Sequence, residues 1–143
     1  RGWTADDGFI DYALRCEQRP DKSQSAQTEY RCLRRSQIDR PVGRYPTARF
    51  SLLELRPRTG RRHQLRRHLA HLRHPILGDT CHGDNTQNKF LRQHCGLQRL
   101  LLRATRLQIA HPHRTAPLCL QAPPDPQFEQ ILTDLELCAA HNS

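Results

Sequence analysis

The chain has 143 residues, of which 36% are hydrophobic and 6% aromatic, and it carries a net charge of +9. That length suits one domain with a thin core. The charge favours an acidic partner such as nucleic acid or an anionic membrane surface, and no apolar run approaches the ~20 residues of a membrane-spanning helix.

Elements follow from residue period. "WTADDG" at 3–8 reads as a turn, and the apolar "FIDYAL" after it as a short strand. The polar residues 19–26 read as an exposed loop. In "QTEYRCL" (27–33), Thr28, Tyr30 and Cys32 fall on one face and Glu29, Arg31 and Leu33 on the other, which is strand spacing. "DRPVGRYP" is a second loop. Thr47–Pro57 is the best strand, apolar on both faces and closed by Pro57, and it is expected to pair antiparallel with 27–33.

Thr59-Gly60 then supplies a turn. Leu65, Leu69 and Leu72 form a narrow helical stripe, flanked by Arg62, Arg66 and Arg73 on one side and by Gln64, His68 and His71 on the other. Pro75 is expected to stop this helix after His74. Residues 78–88 read as a loop. The segment 97–112 begins as helix or turn and becomes a strand near Leu107–Ala110, and 116–124 alternates as a strand. Asp125-Pro126 is an N-cap and N1 pair for an amphipathic helix over 126–139, with Phe128, Ile131, Leu132 and Leu135 inward. The sum is an α+β fold, mainly antiparallel, in a single domain over 1–143. A basic helix follows the central strand, and an amphipathic helix ends the chain.

Six cysteines (16, 32, 81, 95, 119 and 138) show no CxxC pair, so they read as reduced thiols of a cytoplasmic protein. No signal peptide is visible. The chain has no methionine and begins Arg1-Gly2-Trp3, which reads as a processed piece or a fragment.

Three chemistries compete for the histidine- and arginine-rich stretch. Zinc could use His63, His68, His71 and His74, or the doublets Cys81-His82 and His94-Cys95. The spacing is poor, since adjacent side chains diverge and His63 points away from the His68–His71 face. Nucleophilic and phosphate-loop signatures are absent. Asp79 could act as a general base, but an aspartate beside glycine is ordinarily a turn former. The arginines are more telling. Lys22 and Lys89 are the only lysines, and a solvated face needs no such bias. Guanidinium forks grip phosphate in two-point fashion and stack on bases, so nucleic-acid binding is favoured. A Thr-Gly turn before a helix also leaves N–H groups for an anion.

"RPRTGRRHQLRRHLAHLRHPILGD" (56–79) resembles the TGR-x-HQ-[IL]-R…HPI-x-GD motif of the RluA-type pseudouridine synthases. "RLLLRATRLQIAHP" (99–112) is similar to their later motif, and "QTEYRCL" and "QAPP" fall at their T-x-Y strand and A-P turn. "VGRYPTARFSLLEL" and "GDTCHGDNTQNKF" are most similar to the branch that modifies uridine 65 of tRNA. The resemblance implies cofactor-free isomerisation of uridine in RNA, without metal, by an enzyme that is monomeric when complete. It implies a catalytic aspartate in an HRLD-type motif and a tyrosine in a K-x-Y motif. Neither motif is in this sequence, so the chain is expected to be the C-terminal half of the catalytic domain and inactive alone. By the same resemblance Arg66 pairs with that aspartate, and Leu101 and Leu102 line the uracil pocket. Arg61, Arg62, His63, Gln64 and Arg67 face RNA. Arg103 stands where the family usually has histidine. The rival readings are a non-catalytic RNA-binding module and a small zinc protein.

Overall fold

A computed structural model describes residues 2–16, 18–19 and 22–138. Arg1, part of the expected 19–26 loop and the expected helix end at 139 lie outside them.

Among the described residues ten elements follow one another: β1 (Asp7–Asp11), β2 (Leu14–Arg15), β3 (Ser23–Gln24), β4 (Gln27–Ile38), β5 (Ala48–Pro57), α1 (Gln64–His71), α2 (Asn85–Cys95), β6 (Arg106–Ile109), β7 (Leu118–Gln121) and α3 (Pro126–Asp134). The fold is α+β with antiparallel sheets. The main sheet has the order β1-β4-β5, and β2-β3 and β6-β7 are separate ribbons. The expected pairing of β4 with β5 is present, from Thr28 opposite Pro57 to Ile38 opposite Ala48. The strand expected at the centre, β5, lies at the edge of this sheet among the described residues, and β4 is in the middle.

One inserted residue decides what that ribbon buries. The register shifts between Cys32 and Arg34, so Leu33 bulges out and is 45% exposed. A one-residue insertion turns the strand over. Before the bulge, Tyr30 and Cys32 lie with Leu55 and Leu53 and pack with Trp3, Ile10 and Leu69. After it, Ile38 lies with Ala48 and joins Phe50 in the larger cluster with Phe90, Leu91, Leu97, Ile131, Leu132 and Leu135. This is why β5 reads as apolar on both faces: each face serves a different core. Arg35 closes the sheet's open end, donating to the carbonyls of Trp3, Thr4 and Ala5 and to Asp6.

Four expectations need correction. Residues 78–88 do not stay a loop, because α2 begins at Asn85. Asp84 caps it by accepting from the Thr86 and Gln87 amides, and Gly96 closes it at φ 65°. The segment 97–105 forms no helix before β6. The basic helix ends at His71, before Pro75 is reached. There Arg73 turns left-handed (φ 61°), and the Arg73 and His74 amides close back on Ala70 and Leu69. Leu72 therefore leaves the buried stripe and is 39% exposed, whereas Leu69 stays in the core. At the C-terminus Asp125 does cap α3, accepting from the Phe128 amide, but the helix stops at Asp134. Leu107, Ile109, Leu118 and Leu120 line one face of the β6–β7 ribbon, and all four are exposed.

Candidate functional site

The site is built where α1 meets β4 and the 78–83 loop. Thr59 and Gln64 lock the start of α1 to the sheet. The Thr59 hydroxyl accepts from the Gln27 amide and donates to Gln64 Oε1. Gln64 Oε1 also accepts from the Arg61 amide, while its Nε2 donates to the Gln27 carbonyl and to Thr28 Oγ1. Gln64 is thus buried with all four hydrogen-bonding positions filled. Gln64, expected among the RNA-facing residues, lies buried in the scaffold at the start of α1. It also removes the Arg61 amide as an anion donor.

His68 continues the same network. Its Nε2 lies 3.0 Å from the Tyr12 carbonyl, which can only accept, so Nε2 carries the proton. Its Nδ1, 2.9 Å from Thr28 Oγ1, then accepts from that hydroxyl. Burial pushes the His68 pKa down, consistent with a neutral ring. His94 is also engaged internally, through Nδ1 on the Phe90 carbonyl. His63 approaches His82 at 3.3 Å between ring nitrogens. Among the described residues no three His, Cys, Asp or Glu side chains converge as a metal set.

Arg66 has an acidic partner inside the chain. Its Nε donates to Asp79 Oδ2 at 2.8 Å and its Nη2 to Asp79 Oδ1 at 2.7 Å. The Asp79 side chain is 0% exposed and that of Arg66 16%. Asp79 Oδ1 accepts in addition from the Cys81 and His82 amides, both at 2.9 Å. The Arg66 guanidinium holds the Asp79 carboxyl far below the usual carboxylate range, against the opposing cost of burial, and the two amides add to this. Such a carboxylate is a poor base and has no surface to offer a substrate. Asp79 uses two of the five guanidinium N–H donors. The sequence marked Asp79 as a turn former and gave no sign of this pairing across 13 residues.

The other expected residues separate by location. Leu101 and Leu102 are half-buried and line a broad cleft between β5, the segment after α1 and α3. Arg34, Arg49, Arg56, Arg73, Arg103 and Arg106 share that cleft, but Arg66 and Asp79 are not among its lining residues. Leu101 is tied to the 78–83 loop's approach by its amide on the Leu77 carbonyl, at 2.8 Å. Arg103 fills its position by donating to the Pro123 carbonyl and lying 5.6 Å over the Phe128 ring. Arg61 and Arg62 are exposed. Arg61 Nε donates to the Ser25 carbonyl and Arg67 Nη2 to that of Arg15. His63, half-buried, precedes α1 in a left-handed conformation (φ 51°).

Residues 7–71 match the family model described as RNA pseudouridylate synthase. The chain is 49% identical over 142 residues to the tRNA pseudouridine synthase C of Salmonella typhi, covering 93% of this chain and 55% of that protein. It is 41% identical to the protein of the same name from Vibrio parahaemolyticus, covering 95% and 59% respectively. For that of Pasteurella multocida the identity is also 41%, over 99% of this chain and 63% of the other. The solved structure of human RNA pseudouridylate synthase domain containing 1 shares the fold, with a TM-score of 0.60 at 24% identity, over 87% of this chain and 51% of that one. The chain spans little more than half the length of the curated relatives it matches.

Proposed function

The chain is a relative of the RNA pseudouridylate synthases, and from that premise we propose that it acts within a catalytic domain converting uridine to pseudouridine in tRNA. The observation that carries this reading is Arg66, a largely buried guanidinium paired at two points with Asp79 and hydrogen-bonded to the Cys81 side chain, with further N–H donors beyond these. The catalytic aspartate of an HRLD-type motif, outside this sequence, would dock on those donors, and the positive charge would keep it ionised. An enzyme acting on a base in folded RNA must extrude it into a pocket. Leu101 and Leu102 would supply apolar walls for the uracil. Arg61, Arg62, Arg67 and His63 would meet the RNA backbone at the rim, through contacts that weaken with salt. No cofactor or metal enters the scheme.

The domain is read as one unit spanning residues 1–143 together with the part that bears the aspartate. Pseudouridine formation on a tRNA transcript tests the proposal. The complete domain should turn over and the isolated 143 residues should not; turnover by the isolated chain would sink the division of labour. Replacing Arg66 with Ala in the complete domain should abolish turnover while tRNA still binds. The rival, an RNA-binding module without chemistry, predicts binding and no product from the complete domain as well.

A further inference from the structure

The loop after α1 is held from several sides, in a way that bears on Arg66. Asn88, buried on α2, accepts from the Gly78 amide and donates to the Asp79 carbonyl, both at 2.9 Å. Gly78 sits at φ 76°, and a Cβ there would stand 2.0 Å from the Arg99 carbonyl oxygen. Just before it, the Leu77 carbonyl takes the Leu101 amide. Asp79 itself receives the two amides of Cys81 and His82 and the two donors of Arg66. One short segment therefore sets both the direction of the Arg66 guanidinium and the place of the Leu101–Leu102 strip.

We infer that Asp79 is a positioning residue: its buried carboxylate fixes the Arg66 guanidinium, and the loop that carries it fixes Leu101 and Leu102 at the same time. Asp79 touches no substrate and acts through Arg66. The inference rests on the proposed function for its kinetic readout. A guanidinium attached to its helix by one flexible stem can point in many directions. Two-point pairing to an immovable carboxylate leaves one. A misplacement of about 1 Å at such a group can cost about 100-fold in rate.

The test uses the complete domain, with kcat and KM measured on a tRNA transcript. Asp79→Asn keeps an acceptor for the Cys81 and His82 amides but sets an amide N–H₂ against Arg66 Nε. It is expected to lower kcat by about 100-fold with KM nearly unchanged. Arg66→Lys, which keeps charge without the fork, should lose kcat comparably. In the double variant the second substitution should add almost nothing, because both break one element. An unchanged kcat in Asp79→Asn, or losses that multiply in the double variant, would overturn the inference. If Asp79→Asn does not fold, hydrogen exchange at Arg66 Nε in the wild-type domain decides. Strong protection supports the inference, and exchange as fast as in free arginine overturns it. A wild-type domain that makes no pseudouridine refutes the proposed function instead, and the exchange measurement still judges the pairing.

Discussion

His68 has no exposed surface, and both of its ring nitrogens are engaged. Protonation would place a donor at Nδ1 against the Thr28 hydroxyl, which now donates there and accepts from Gln64. The folded-state pKa lies below the ordinary 6.5, because burial outweighs the opposing pull of the Tyr12 carbonyl, while His71 and Arg67 push the same way as burial and Asp11 resists. The unfolded chain then binds the proton more readily. Stability from this group is complete above pH ~6.5 and is lost as pH falls through the folded-state value, at up to about 1.4 kcal/mol per pH unit for one proton. The denaturant midpoint should therefore fall on acidification from pH 7 toward 5. Thr28→Val, which strips the relay of its hydroxyl at constant shape, should cost about 1–3 kcal/mol at pH 7.5. A variant as stable as wild type would contradict the relay. None of this was legible in the histidine spacing, because the partners of His68 come from Tyr12 and Thr28, 56 and 40 residues away.

The helices and strands are legible where a period or a cap announces them. β4 alternates over 27–33, β5 is an apolar run closed by Pro57, and α3 pairs Asp125-Pro126 with an apolar stripe. α2 escapes a reading by period because its sequence, NTQNKFLRQHC, buries little beyond Phe90 and Leu91. Its signals are the Asp84 cap and Gly96, and the cap sits in a stretch whose Gly, Asp and Asn content suggests loop. The bulge at Leu33 has no signal, since the strand pattern on either side looks regular. The two glycines bounding this region should respond differently to alanine. Gly96 closes α2 at φ 65°, and a methyl group there would meet nothing within 4 Å, so Gly96→Ala should cost only the left-handed backbone term, about 1–2 kcal/mol. Gly78 adds a collision with backbone at Arg99 to a similar φ, so Gly78→Ala should cost about 3 kcal/mol or more. Thermal melts of the two variants check this ordering. Equal shifts would mean that the segments at 78 and 99 do not pack as described.

The arginine excess points to a polyanion, yet many of these side chains hold the molecule together. Arg35 clamps three carbonyls and Asp6, Arg58 pairs with Glu29, Arg99 with Asp125, and Arg103 bridges to Pro123. In a thin core, a planar fork that satisfies several carbonyls at once substitutes for apolar contacts that this composition cannot supply. The net charge of +9 therefore overstates the number of arginines that can release counterions on binding RNA. Salt dependence separates the two groups. For tRNA binding by the complete domain, log Kd should rise linearly with log salt. Arg67→Ala, at the proposed rim, should weaken binding and reduce the slope by about 1. Arg35→Ala should leave the slope unchanged and lower the melting temperature, because its donors face Trp3, Thr4, Ala5 and Asp6. If both variants shift the slope equally, arginine on this protein acts as undifferentiated charge. If only Arg67→Ala does, the rim and the scaffold are distinct populations within one residue type.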